Sequence, residues 1–273
     1  MAIKPIMYQV DAFTSEIFKG NPAAVMELNE WPDDTLLLNI ASENNLSETA
    51  FLKRAEQDAY DYDLRWFTPA AEVDLCGHAT LAAAYVLFEH LHFAAAEVTF
   101  MTRSGALSVR QEADGMLVMD FPAAIINAVS APPQALLRGL HMTEQDKLKV
   151  YKSYDYIAVL DSEQAVRHAK IDFAALRELD GRGVLITGPG EQCDFVSRCF
   201  FPKLNVDEDP VTGSAHCELT PLWAQQLGKS KLQASQLSPR GGHIECELAG
   251  DRVILRGRAV TYMVAQLHLD LRI

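Results

Sequence analysis

Two short loops carry the residue types from which an acid/base site could be built. Cys76-Gly77-His78 precedes the apolar run Ala79 to His90, and Thr212-Gly213-Ser214 precedes Ala215 to Gly228. Both runs read as buried helices, the second closing on a glycine suited to a C-cap. Each loop therefore enters a helix N-terminus, where unpaired N–H groups and partial positive charge favour an anion. Gly77 and Gly213 let the backbone approach a ligand closely. Either loop alone is as well explained as a turn into a helix. The pair points to a paired anion site with Gly77, Gly213 and Ser214 as substrate-binding residues.

His78 falls in the first turn of its helix, where the dipole disfavours the imidazolium. A neutral histidine there can give or take a proton near neutral pH; the alternative is a histidine that only caps the helix. Glu48 stands between Ser47 and Thr49, just before the apolar Ala50-Phe51-Leu52. A strand-borne carboxylate pointing into a dry cleft is a candidate general acid; the alternative is an exposed Glu on an alternating strand. Asp209-Pro210 opens the second loop and could face Glu48 and His78, or could simply form a turn. A carboxylate on one side and an acid/base on the other is what removal and redelivery of a proton requires. Glu48, His78 and Asp209 are thus the catalytic candidates.

Cys76, at a helix N-terminus, could have a lowered pKa. Its counterpart Thr212 is not a second cysteine, which disfavours a symmetric two-thiol racemase. No Rossmann fingerprint, phosphate loop or zinc-ligand spacing occurs, so neither a metal nor an organic cofactor is expected.

These loops need elements to carry them. Strand-like stretches run from Met7 to Phe13, Ser47 to Leu52 and Tyr62 to Phe67, with a helix starting at Pro32-Asp33-Asp34. Glu72-Val73-Asp74-Leu75-Cys76-Gly77-His78-Ala79 and Glu208-Asp209-Pro210-Val211-Thr212-Gly213-Ser214-Ala215 share Glu, Gly and Ala 136 residues apart (72 and 208). Arg103-Ser104-Gly105 and Arg240-Gly241-Gly242 follow at 137 (103 and 240), as do Asp114 to Val118 and Asp251 to Leu255 (114 and 251). A constant offset near half the chain length implies a duplicated unit. The prolines at 122, 132 and 133 make Phe121 to Lys147 the candidate crossover, with a short amphipathic piece inside.

With 24 Lys+Arg against 37 Asp+Glu, the formal net charge of -13 repels nucleic acid and anionic membranes. A small anionic substrate must then be held by local N–H groups or a few placed cations. No run is apolar enough for a membrane span or a signal peptide. Five scattered cysteines, an odd number, suggest a reduced, cytoplasmic protein. The oligomeric state stays open, a homodimer included.

Several stretches together resemble the PhzF-like phenazine-biosynthesis family. They are Val10-Asp11-Ala12-Phe13 with Gly20-Asn21-Pro22, Leu46 to Phe51, Arg65 to Pro69, Leu75 to Thr80, Thr102 to Gly105, Glu208 to Ala215, and Arg240-Gly241-Gly242. The resemblance implies an α+β fold of the diaminopimelate epimerase-like kind. It has two pseudo-symmetric lobes, each a curled, barrel-like sheet around a central helix, with the active site between them. The expected division is 1–122 as the first lobe, with 259–273 returning to it, and 123–258 as the second. The resemblance further implies a cofactor-free isomerase, with the family's catalytic Glu on Glu48 and other site residues on His78, Asp209 and Ser214. In the phenazine pathway enzyme the substrate is a cyclohexadiene carboxylic acid. The expected function is proton movement on a small unsaturated carboxylic acid. An amino-acid racemase or epimerase using Cys76, and a non-catalytic small-acid binding protein, are the alternatives.

Overall fold

The computed structural model describes residues 4–56 and 59–269. The chain divides into two compact units, Met1–Asp120 with Arg256–Ile273, and Phe121–Leu255.

In the first unit, β1 (Ile6–Ala12) turns into β2 (Asn21–Leu28), its antiparallel neighbour. The turn needs Gly20, which has φ +65°; a Cβ there would stand 2.2 Å from the Ala12 carbonyl oxygen. Helix α1 (Asp34–Asn44) starts at the expected aspartate: Asp33 accepts a hydrogen bond from the Thr35 N–H. It leads into β3 (Glu48–Arg54), parallel to β2, then β4 (Tyr62–Phe67), antiparallel to β3. The two-residue β5 (Glu72–Val73) pairs back onto β4 and delivers the chain to α2 (Gly77–Glu89). Strand β6 (Glu97–Thr102) lies parallel to β4, and β7 (Gly105–Gln111) and β8 (Leu117–Pro122) continue antiparallel.

Two helices cover different sides of these strands. The alanine-rich α2 is buried along nearly its whole length and packs against β1, β2, β3 and β7. Helix α1 sets Leu37 and Ile40 against Met7, Met26, Phe51 and Phe67. Ala24, Met26 and Leu28, alternate residues of β2, all join this cluster, the period of two that a strand between two apolar layers shows.

The second unit opens with β9 (Asn127–Val129), which pairs with β10 (Lys149–Lys152), and with α3 (Gln134–Gly139), whose Leu136 enters the core. The candidate crossover stretch thus also contributes a strand and a helix to this unit. The order then repeats the first unit step for step. Strand β10 is antiparallel to β11 (Tyr156–Val159), which is parallel to β12 (Val184–Pro189). Strand β13 (Phe195–Phe201) is antiparallel to β12 and to the short β14 (Val206–Asp209), and parallel to β15 (Lys231–Gln236). Helices α4 (Glu163–His168) and α5 (Phe173–Leu176) take the covering position of α1. The central α6 (Gly213–Leu227) ends on Gly228 in the left-handed region, as its sequence suggests, and packs on β15 and β16 (Gly242–Ala249). Strand β17 (Arg252–Gly257) precedes β18 (Ala259–Gln266), which returns to pair antiparallel with β1.

Helix α6 has one irregularity, Pro221 in its interior. Proline has no N–H, so the carbonyl four residues earlier loses its usual donor. That carbonyl, of Cys217, accepts instead from the Ala124 N–H at 3.1 Å.

The architecture is thus α+β, with a curled sheet around a buried helix occurring twice. No helix among the described residues is long and apolar enough to cross a membrane.

Candidate functional site

Strand pairing brings the first-unit candidates together. The parallel register of β2 and β3 sets Ala23 opposite Glu48 and brings Asn21, at the start of β2, within reach of the Ser47 side chain. Helix α2 enters from Cys76 with His78 in its first turn. His78 is 6% exposed and Asn21 is fully buried. The Glu48 Oε2 stands 3.0 Å from His78 Nε2. The two atoms are buried, are not aligned for a full hydrogen bond and have no other hydrogen-bond partner. On the other edge of the ring, Nδ1 lies 3.3 Å from Asn21 Nδ2 and 3.5 Å from Cys76 Sγ. Asn21 Oδ1 accepts from the Ser47 hydroxyl at 3.3 Å.

The electrostatics differ from what the helix dipole alone suggests. Burial disfavours the His78 imidazolium; a Cys76 thiolate together with the Glu48 carboxylate would carry the pKa well above the ordinary histidine value. A helix terminus alone could lower the Cys76 thiol. Burial, reinforced by Glu48, pushes the thiol up instead. A thiol that stays protonated gives His78 no negative charge near neutral pH, which leaves Glu48 as the source of any upward push.

One ligand atom each from Glu48, Cys76 and His78 lies within 4.8 Å of the others, the spacing of a candidate cation site. The ring, however, turns Nε2 to Glu48 and Nδ1 to Cys76. An ion held by all three would need the Cys76 thiolate, which burial disfavours.

In the second unit, Asp209 ends β14 and Ser214 lies in the first turn of α6. The Thr212 hydroxyl donates to Asp209 Oδ2 at 2.5 Å. Buried Gln236 ties the loop at both ends: its Nε2 donates to the Asp209 carbonyl at 2.7 Å, and its Oε1 accepts from the Thr212 N–H at 2.9 Å. Ser214 Oγ accepts from Arg182 at 3.2 Å, and the same guanidinium grips Asp155 through two nitrogens. Beneath them Glu218, completely buried, accepts from the Asp155 N–H at 3.1 Å. Burial and the neighbouring Asp155 push its pKa to about 9.

Residues 10–265 match the family described as phenazine biosynthesis-like protein (PhzC-PhzF). The chain belongs to this phenazine biosynthesis-like family. It is 51% identical to an uncharacterized isomerase of Pseudomonas aeruginosa, over 96% of this chain and 98% of that one. A crystal structure of a PhzF-family phenazine biosynthesis protein from Enterococcus faecalis superposes with a TM-score of 0.91 at 43% identity, covering 98% of this chain and 100% of that one. The fold extends further: a hydroxyproline epimerase from Agrobacterium vitis matches with a TM-score of 0.63 at 12% identity, over 98% of this chain and 94% of that one. Relatives of this family at 45% and 51% identity carry the isomerase name.

The sequence reading assigned no role to Asn21, Arg182, Asp155, Gln236 or Glu218. Glu218 did leave a signal, a carboxylate inside the apolar run Ala215 to Gly228. The others depend on which strands pair, and local pattern does not reveal that.

Proposed function

We propose that the chain is a cofactor-independent isomerase that moves a proton on a small unsaturated carboxylic acid, with Glu48 as the proton carrier. The observation that carries this reading is the buried Glu48 Oε2, 3.0 Å from His78 and without a hydrogen-bond partner. Leaving such an oxygen unsatisfied is costly, and a reacting C–H or a developing acid would engage it. His78 orients Glu48 and adjusts its basicity. N–H groups near Gly77 and Gly213, with the Ser214 hydroxyl, offer donors to the anionic group and to developing charge. Asp209, held by Thr212 and Gln236, is the further carboxylate that the family resemblance implies.

The test is solvent-deuterium incorporation into a panel of cyclic and open-chain unsaturated carboxylic acids. Wild-type protein should place deuterium on the product carbon. Glu48→Gln should keep the fold and lose about a hundredfold or more of the rate, the usual share of general acid–base catalysis. Cys76→Ser should remain active. Full activity in Glu48→Gln, or a loss confined to Cys76→Ser, would transfer the chemistry to the thiol.

A further inference from the structure

The two edges of the His78 ring have different neighbours. Nε2 faces a carboxylate oxygen at 3.0 Å. Nδ1 faces an amide nitrogen at 3.3 Å and a thiol at 3.5 Å. The orientation of the amide is tied to Ser47, whose hydroxyl donates to Asn21 Oδ1 and thereby turns Nδ2 towards the ring. The thiol, kept protonated by burial, is also a donor. Two donors converging on one nitrogen are satisfied only if that nitrogen carries a lone pair.

We infer that Asn21, fixed by Ser47, is a positioning residue that holds His78 as the neutral tautomer with its proton on Nε2, directed at Glu48. This deepens the proposed function and rests on it for its catalytic meaning. The titratable groups facing His78 are Glu48 on β3 and Cys76 at the cap of its own helix. Glu48 pulls towards the imidazolium through one misaligned contact. Burial of the ring and the two donors on Nδ1 pull the other way, and together they outweigh it. The consequence for chemistry is a division of labour. A neutral donor on Nε2 steadies the Glu48 carboxylate without neutralising it, so Glu48 keeps the basicity to accept a substrate proton. An imidazolium would form an ion pair with Glu48 and weaken it as a base. Cys76, spent as a donor to Nδ1, is then not a base at all.

The histidine tautomer can be read without any substrate. Full-length protein with ring-15N histidine would be examined by two-bond 15N–1H correlation, with the His78 signals among the 8 histidines assigned by their loss in His78→Gln. Wild-type protein at pH 7 should show Nε2 protonated and Nδ1 bare. Asn21→Asp substitutes an acceptor that calls for a proton on Nδ1, and should raise the proton affinity of His78 tenfold or more. Ser47→Ala releases the amide and should give a mixture of tautomers. A proton on Nδ1 in wild-type protein, or identical titrations in wild type and Asn21→Asp, would overturn the inference. If Asn21→Asp does not fold, an unchanged single tautomer in Ser47→Ala overturns it equally. Loss of the deuterium-exchange reading would leave these spectra unaffected, so the two proposals can fail separately.

Discussion

The two units share a strand order but differ at the positions that could do chemistry. Trp66 in β4 and Cys199 in β13 are equivalent anchors, since each pairs with both of its antiparallel neighbours. Counting from these anchors places Gly183 where the first unit has Glu48, Arg182 where it has Ser47, and Asp209 where it has Val73. At the helix entries His78 corresponds to Ser214. The scaffold contacts agree in detail. Thr80 and His216, one turn into α2 and α6, both bond the carbonyl of the residue before the glycine. Arg65 grips Glu72 through two nitrogens and lies over Phe67; Arg198 does the same with Glu208 and Phe200. These paired clamps fasten the short strand from which each glycine loop departs. The same frame presents a carboxylate and an imidazole in one unit, and in the other a hydroxyl backed by a cluster of Arg182, Asp155 and Glu218. Duplication preserved what holds the loops and left what the loops carry free to diverge.

The comparison breaks most sharply at Gly183. A Cβ there would lie 2.2 Å from Phe201 Cδ1 and 2.6 Å from the Phe200 carbonyl oxygen. Gly183→Ala should therefore cost about 3 kcal/mol by overpacking, whereas Glu48→Ala at the equivalent place should cost under about 1 kcal/mol. Equal losses in chemical denaturation would undo the contrast between the two positions.

A smaller contrast involves pH. The counterpart of Glu218 is Ala82, which cannot titrate. Glu218 has a folded pKa raised to about 9 from an ordinary 4.5, so its contribution is full below 4.5 and lost as pH rises towards 9. His216 has a folded pKa lowered from 6.5 to about 4 by burial, so its contribution is full above 6.5 and lost as pH falls. The two slopes oppose each other between 4.5 and 6.5, and only Glu218 acts above that range. Hydrogen-exchange protection of α6 should fall by up to about 1.4 kcal/mol per pH unit between pH 7 and 8. Glu218→Gln should flatten the slope; a slope that survives this substitution would point to a cause outside this carboxylate.

The finest contrast is between the clamps. Glu72 also pairs with Arg103 at 2.6 Å, whereas the contacts of Glu208 described above involve Arg198. Glu72→Gln should cost about 2 kcal/mol and Glu208→Gln about 1 kcal/mol, measured by urea denaturation at fixed pH. The reverse order would mean that the first clamp relaxes onto other partners.

Much of this was legible in the sequence. The α+β duplication showed as a constant offset, and Asp33, Gly77, Gly213 and Gly228 marked helix ends by their chemistry. Glu48 and His78 could be named from local context. Their meeting could not, because it depends on the parallel register of β2 with β3 and on the entry of α2 beside them. For the same reason Asn21 read as a turn residue, although its side chain reaches the ring of His78. The raised thiol of Cys76 is not legible, because proximity to a helix terminus is visible in a sequence and burial against His78 is not.

Pro221 leaves a vacancy in the ladder of α6 that residue 124, at the very start of the second unit, fills. A helix that could close on itself needs nothing from distant chain; this one is completed by a segment synthesised nearly a hundred residues earlier. The junction therefore works as a latch that ties the beginning of the unit to its middle. Replacing the proline with alanine would let the helix close alone, leaving the Ala124 N–H to find another acceptor. The native arrangement makes the ordering of α6 and the docking of residue 124 a single cooperative event. Folding of this half cannot be finished by its helix alone, however readily that helix forms.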